Sequence, residues 1–158
     1  MTDENDAVRD KKKKTEQMPL LFDDFETAQK IAEKMIPKDH QHLGSAKIRY
    51  ICRNKAAKRA GHPVPGNVYK MGGKFAFLVG FDFIIEVALE VWNDLKPNQR
   101  LALIDHLLSR CQGTEKEEDG SMAWKLIPPP VQEFPEVAER HGQWHEGLVE
   151  FEKCLRTE

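Results

Sequence analysis

The order of the periodic segments predicts an α+β fold. A helical pattern comes first, segments rich in β-branched and aromatic residues fill the middle of the chain, and helical patterns dominate the second half. No βαβ unit repeats, and the patterns GxGxxG and GxxxxGK, which bind nucleotide phosphates, do not occur in the sequence. We therefore expect one small α+β domain rather than a doubly wound nucleotide-binding fold.

Composition narrows the function classes. The chain has 158 residues, 32% of them charged, and a formal net charge of −2, which does not argue for nucleic acid or an anionic membrane as a partner. Its three cysteines, Cys52, Cys111 and Cys154, are far apart and form no CxxC pair, as is typical of a reduced cytoplasmic protein. The polar N-terminus lacks a signal-peptide core, and no segment approaches the roughly 18 apolar residues of a membrane span. We expect a cytoplasmic protein.

The N-terminal segment differs from the rest of the chain. Residues 1–19 show no apolar periodicity and contain the run Lys11, Lys12, Lys13, Lys14, which predicts a disordered polar tail, with a phosphate-binding arm as the alternative. Residues 20–158 are expected to form a single domain. Within it, residues 143–158 form a terminal helix that closes the core or binds a partner.

Two local patterns open the domain. The stretch "DDFETAQKIAEKMI" predicts a helix that Asp23 or Asp24 caps and Pro37 ends. The stretch "AKIRYICR" alternates apolar and basic residues, which predicts a half-buried strand. The apolar face of the first helix is expected to comprise Phe25, Ala28, Ile31, Ala32 and Met35.

Glycine-rich and basic segments occupy the middle of the chain. "NKAAKRAGHPVPGN" predicts a loop or hairpin connection, and "GNVYKMGGKFAFLVGFDFIIEVA" predicts two short strands with glycine-rich turns between them. The basic residues of the first segment favour a solvated loop over a nucleic-acid contact, because no aromatic residue lies among them to stack on bases. They are Arg53, Lys55, Lys58 and Arg59.

Helical patterns follow. "EVALEVWNDL" predicts a helix with Val87, Ala88, Val91, Trp92 and Leu95 on one side. The next helix is expected to run from Pro97 or Asn98 to Cys111 and to end before Gly113. "MAWKLI" predicts a strand, and the three prolines 128–130 form a rigid connector to two C-terminal helices. The buried face of the helix that ends at Cys111 is expected to comprise Leu101, Ile104, Leu108 and Cys111.

The helix containing "ALIDHLLSRC" has an order of apolar and polar residues similar to that of a zinc-peptidase motif. In HExxH peptidases, two histidines four residues apart reach one metal from the same helix face, and the glutamate beside the first accepts a proton from the metal-bound water. Three stretches, "AEKMIPKDHQHLGSAKIRYICR", "GFDFIIEVALEVWNDLKPNQRLALIDHLLSRC" and "VQEFPEVAERHGQW", resemble the phage metallopeptidase family of small zincin-like proteins. The resemblance covers most of residues 27–145. It implies a zincin-like domain, with a short, mostly antiparallel sheet packed on a central helix that once carried the active site.

The resemblance also implies that the catalytic motif is degenerate. Members of the family carry "DHELCHC" at this helix, so His106 matches the first metal histidine and Cys111 the cysteine after the motif. Leu107 then stands at the position of the general base and Arg110 at that of the second ligand. Leucine cannot accept a proton, and arginine stays protonated and has no lone pair for a metal. We expect a scaffold that has lost catalysis and binds no cofactor, with zinc as the alternative.

Other residues are weaker metal candidates. Glu133 falls where the family has an acidic stretch, so the resemblance makes it a candidate residue of the degenerate pocket. His106 and Cys111 lie about 140° apart around a helix and do not converge. His141 and His145 have the i, i+4 spacing of a metal pair, but no cysteine or acid accompanies them at a fixed short spacing.

The remaining histidines are expected to be structural. His40 and His42 fall on a predicted loop, where exposure to solvent is the default. His106 is expected to be buried and hydrogen-bonded, with Asp105 or Glu133 orienting it. An Arg110–Glu133 ion pair in the vacated metal position is a further prediction.

Three functions follow from these residues. The first is a catalytically inactive binding or inhibitor protein, which uses the former substrate groove to bind a host protein in the bacterial cytoplasm, for example a defence component. The second is a zinc-dependent hydrolase with a displaced site built from His106, Glu133, His141 and His145. The third is nucleic-acid binding through Lys11–Lys14 and Arg53–Arg59. The near-neutral net charge does not favour this function. Self-association is compatible with all three.

Overall fold

A computed structural model describes residues 18–156. The predictions for Lys11–Lys14 and for most of the 1–19 tail therefore concern residues outside the described range, and the division at residue 20 stays a prediction. The helices are α1 (Glu26–Asp39), α2 (Gly73–Val79), α3 (Leu89–Trp92), α4 (Pro97–Ser109), α5 (Pro135–His141) and α6 (Glu146–Leu155). The strands are β1 (Phe22–Asp24), β2 (Ile48–Arg53), β3 (Lys58–Arg59), β4 (His62–Pro63), β5 (Gly66–Lys70), β6 (Phe83–Ala88), β7 (Cys111–Glu115) and β8 (Met122–Leu126).

A four-stranded sheet with the order β1-β2-β6-β5 organises the domain. The central pair, β2 and β6, is parallel, whereas β1 and β5 pair antiparallel on the two outer sides. Two further hairpins, β3–β4 and β7–β8, are antiparallel. The predicted α+β fold with a mostly antiparallel sheet is confirmed. No helix in the described part of the chain is long and apolar enough to cross a membrane.

The core lies between one face of this sheet and helices α1 and α4. Ala28 and Ala32 are fully buried, and their small side chains let α1 approach the sheet closely. Alternate residues of β2, β5 and β6 point into the same core, as the strand period requires. The strand residues involved are Tyr50, Val68, Phe83, Ile85 and Val87.

The first helix differs from the prediction at both ends. Asp24 lies in β1, where it accepts a hydrogen bond from Arg49 Nε at 3.1 Å, so neither it nor Asp23 caps α1. Pro37 lies inside α1 rather than ending it. The helix continues past the proline because the next backbone bond, from His40 N to Ile36 O at 3.0 Å, does not involve the proline nitrogen.

Strand pairing overrides the helical pattern around residue 87. Val87 and Ala88 lie in β6, paired in parallel with Cys52 and Arg53, and only Leu89–Trp92 is helical. The prediction of a helix that begins before Val87 is therefore wrong for its first turn. The structure also adds α2 between β5 and β6, and places β7 where a loop was expected.

The buried face of α4 is rotated relative to the prediction. Leu101 is 46% exposed, whereas Leu107 is only 1% exposed and joins Ile104 and Leu108 in the core. The reason is the position of β5. A Cβ atom on Gly66 would lie 2.9 Å from Leu107 Cδ1, so this glycine lets the strand pack directly on Leu107.

A candidate ligand-binding cleft beside helix α4

A cleft of about 540 Å³ opens beside α4. Its walls are the β3–β4 hairpin with the prolines that follow it, the start of β5, one side of α4, and the proline connector after β8. The polar side chains that line it are Arg59, His62, Asn67, His106, Arg110 and Gln132. This is the place where the HExxH-like segment of α4 meets an edge strand of the sheet.

Two of the residues predicted for a degenerate metal pocket line this cleft. They are His106 and Arg110, which lie four residues apart on α4 and thus on the same side of the helix. Leu107, which the resemblance assigns to the position of the general base, is buried beneath Gly66 and belongs to the core.

Arg110 is held by β5 rather than by an acid. Its Nη1 donates a hydrogen bond to Asn67 Oδ1 at 3.0 Å, and the same oxygen accepts the backbone N–H of Val68 at 2.9 Å. Arg110 Nε is buried without an acceptor, and no carboxylate among residues 18–156 forms an ion pair with this guanidinium. The arginine therefore keeps its charge beside the cleft with little compensation from the protein.

The predicted Arg110–Glu133 ion pair is not formed. Glu133 lies in the connector before α5, where its carboxylate accepts Trp144 Nε1 at 2.9 Å and the backbone N–H of Phe134 at 2.8 Å. These contacts tie the connector to the segment between α5 and α6. Glu133 therefore has a local structural role.

The histidines also depart from the predictions. His106 is exposed, not buried, because its side of α4 faces the cleft. Asp105 does not orient it, since Asp105 Oδ1 lies 2.7 Å from Nε2 of His40. His40, expected on the surface, is only 5% exposed, and His42 Nε2 lies 2.9 Å from the carbonyl oxygen of Cys111. These two histidines tie the end of α1 to α4 and β7.

Cys111 is part of the core. Its side chain is fully buried, and its thiol donates to Leu107 O at 3.6 Å. Burial raises the pKa of the Cys111 thiol to about 12, with a smaller opposing effect of Arg110. Because this side chain is enclosed in the core and does not line the cleft, it is not positioned to contact a metal or ligand there.

The residues present do not fit a catalytic zinc. Zinc needs three protein ligands from histidine, cysteine or carboxylate side chains, and no group of three such residues converges within residues 18–156. Arg110, which the resemblance assigns to the position of the second histidine, has a guanidinium with no lone pair to donate. His141 ends α5, Gly142 breaks the helix with φ +63°, and His145 packs against Trp144 at 4.7 Å between ring centroids. The two histidines therefore do not share one helix face.

The basic residues of the middle segment divide into two groups. Arg53 is mostly buried and pairs with the buried carboxylate of Glu86 at 3.3 Å, which makes it a structural residue of the sheet. Lys58 and Arg59 lie on β3, and Arg59 lines the cleft. Among the residues proposed for nucleic-acid contact that the structure describes, Arg59 is thus the one that reaches this cleft.

Sequence reasoning missed Asn67 and His62. Asn67 stands 43 residues before its partner Arg110, and His62 reaches the cleft only because β3 and β4 form a hairpin. The one sequence signal was the segment "AGHPVPGN", which predicted a turn but not what it would cover.

Comparison with known proteins identifies the family. The family described as "Putative phage metallopeptidase" matches residues 22–154, which include the sheet, α4 and every residue of the cleft. No curated protein and no solved structure matches the chain. Since the match spans far more than half of the sequence, the chain belongs to the phage metallopeptidase family.

Proposed function

We propose that this chain is a non-catalytic member of the phage metallopeptidase family that binds a host protein through the cleft beside α4. The observation that carries the proposal is the guanidinium of Arg110 at the position of the second metal histidine, hydrogen-bonded to Asn67. A cation at that position opposes the binding of a second cation. Leu107 adds a second defect, because the loss of a general base alone slows catalysis by about 10²–10⁴-fold.

Retention of the cleft supports a binding role. Although Leu107 and Arg110 replace the catalytic side chains, the space beside α4 remains open at about 540 Å³. Strand β5 is the last strand of its sheet and borders this space, so an extended segment of a partner can be added along it. Because the family is one of phages, we place the partner among the proteins of the bacterial host and the interaction in the host cytoplasm.

Metal content of the tag-free protein, measured by mass spectrometry without added zinc, tests the loss of catalysis. We expect less than about a tenth of an equivalent of zinc per chain and no peptide hydrolysis. The matched variant is Arg110→His, which restores two histidines with the i, i+4 spacing without touching the core. It should take up more zinc than the wild-type chain when both are titrated with the metal. Near one equivalent of zinc in the wild-type protein, with hydrolysis that a chelator abolishes, would overturn the proposal.

The binding half of the proposal needs a separate measurement. The wild-type chain, produced in a bacterial host, is expected to co-purify with one uncleaved host protein in stoichiometric amount. Arg110→Gln should lose that protein, whereas Lys34→Gln, which removes an exposed charge on α1, should retain it. Equal retention by both variants would exclude the cleft as the binding site.

A further inference from the structure

The ionisable side chains that line the cleft are all basic. They are the guanidinium groups of Arg59 and Arg110 and the imidazoles of His62 and His106, and the described lining contains no aspartate or glutamate. The whole chain has 26 acidic residues against 24 lysines and arginines, so an acid-free lining does not follow from composition. A concave surface lined in this way concentrates positive potential and favours an anion.

Asn67 shows which atom such an anion would replace. Its Oδ1 accepts two hydrogen bonds at once, from Arg110 Nη1 at 3.0 Å and from the backbone N–H of Val68 at 2.9 Å. Two donors from different elements therefore converge on one oxygen at the wall of the cleft. An amide oxygen is the weaker acceptor for this pair, because it carries no formal charge, whereas a carboxylate adds the attraction between opposite charges and can accept two parallel N–H bonds from a guanidinium.

The Val68 N–H takes no part in the β5–β6 ladder. The bonds from Ala88 N to Pro65 O and from Met71 N to Asp82 O bracket the β5–β6 ladder. Because bonded residues alternate in an antiparallel pair, Val68 directs its backbone groups away from β6. Its donor is thus satisfied by the Asn67 side chain and not by a neighbouring strand.

We propose that the cleft binds a carboxylate of an extended acidic peptide segment, which displaces the Asn67 side chain from Arg110 and from the Val68 N–H. The inference names the chemistry of the partner and rests on the proposed function in taking this cleft as the binding site. Arg110 supplies the charge-assisted bond, Arg59 adds a second positive charge, and the two imidazoles offer ring N–H groups as further hydrogen-bond donors. The arginine that prevents zinc binding thereby gives the cleft its selectivity for an anion.

A peptide fits this cleft better than a nucleic acid does. Binding of single-stranded nucleic acid depends on aromatic side chains that stack on the bases, and none of the residues that line the cleft is phenylalanine, tyrosine or tryptophan. The edge-strand donor at Val68 matches a peptide backbone or carboxylate next to an extended chain.

Fluorescence anisotropy with three probes tests the proposal on the full-length protein. The probes are a short labelled peptide of alternating Ala and Glu, the same peptide with Gln in place of Glu, and a labelled oligothymidylate. We expect the Glu peptide to bind at least about tenfold more tightly than the Gln peptide and the oligothymidylate. Asn67→Asp should weaken the Glu peptide by about tenfold or more, because an isosteric internal carboxylate then occupies Arg110. Arg110→Gln should weaken it similarly, whereas Lys34→Gln should leave it unchanged.

Each outcome is decisive. Equal binding of the Glu and Gln peptides, no binding of either, or an unchanged affinity of Asn67→Asp would overturn the carboxylate site. Tighter binding of oligothymidylate would assign the cleft to phosphate instead. Mass spectrometry of the recovered peptide separates this inference from the proposed function. A Glu peptide that is bound but cleaved would refute the loss of catalysis without contradicting the carboxylate site. A peptide that is neither bound nor cleaved would refute the carboxylate site without contradicting the loss of catalysis.

Discussion

Replacing Arg110 with methionine should stabilise the protein, although it removes a hydrogen bond. Its buried Nε lacks an acceptor, and a buried unsatisfied donor costs about 1–3 kcal/mol. The bond to Asn67 that would be lost has a charged donor and contributes about 1.5–3 kcal/mol, but the desolvation cost of a buried charged group, which is larger than that of a neutral donor, is removed with it. Asn67 Oδ1 keeps the Val68 N–H as a donor. Methionine preserves most of the apolar stem. The difference between these contributions predicts that the free energy of unfolding rises by about 1 kcal/mol. For a chain of this size, the melting temperature should then be higher by roughly 2–4 °C.

Arg100→Met on the same helix is the matched control. Arg100 Nε donates to Trp92 O at 3.0 Å, and the guanidinium lies over the Trp92 ring at 5.2 Å, so this arginine is fully engaged. Its replacement should cost about 1–2 kcal/mol. Thermal and urea unfolding, followed by circular dichroism, measure both variants. If Arg110→Met destabilised the protein as much as Arg100→Met, the guanidinium of Arg110 would be a stabilising group, and the argument for an uncompensated charge would fail.

Three further predictions concern residues around the site. Burial raises the folded-state pKa of Cys111 to about 12, so between pH 9 and 12 the thiol loses its proton in the unfolded chain but keeps it in the folded one. The free energy of unfolding should therefore fall as pH rises through that window, by about 1.4 kcal/mol per pH unit for this group. Cys111→Ala should make the slope shallower, and an unchanged slope would refute the assignment. Asp105→Ala should cost about 1–2 kcal/mol in urea unfolding, because it leaves the buried ring of His40 without its partner, and Asp105→Asn should cost less. Gly113→Ala should cost about 1–3 kcal/mol, because the new Cβ would lie 2.6 Å from the indole ring of Trp124 across the hairpin. Gly72→Ala, with open space around it, should be neutral. Equal melting temperatures of the two variants would contradict this prediction.

Local patterns predicted the parts of the fold that depend on local periodicity. Ala28 and Ala32 were placed on the buried face of α1, and "AKIRYICR" was predicted to be a half-buried strand, because periods of 3.6 and 2 are properties of each segment alone. Strand β7 was missed, since "CQGTE" has no alternating apolar pattern and owes its conformation to pairing with β8.

The site was predictable only where the motif was local. His106 and Arg110 could be found because their spacing on one helix is fixed by geometry. Their environment could not, because Asn67 is 43 residues from Arg110 and His40 is 65 residues from Asp105. The sheet register and the meeting of α1 with α4 decide these partners, and neither leaves a trace in a short stretch of sequence.

The β3–β4 hairpin gives the cleft a wall of low local stability. Each of its strands has two residues, and its turn places Ala60 at φ +50° and Gly61 at φ +79°, a conformation that is unfavourable for alanine. Elements with so few ladder bonds open without unfolding of the domain, so the hairpin amides should exchange with solvent much faster than those of β2 and β6. Arg59 and His62 therefore lie on a hairpin that becomes more ordered when a ligand binds between it and α4. Slower amide exchange in the hairpin would indicate that the cleft is occupied.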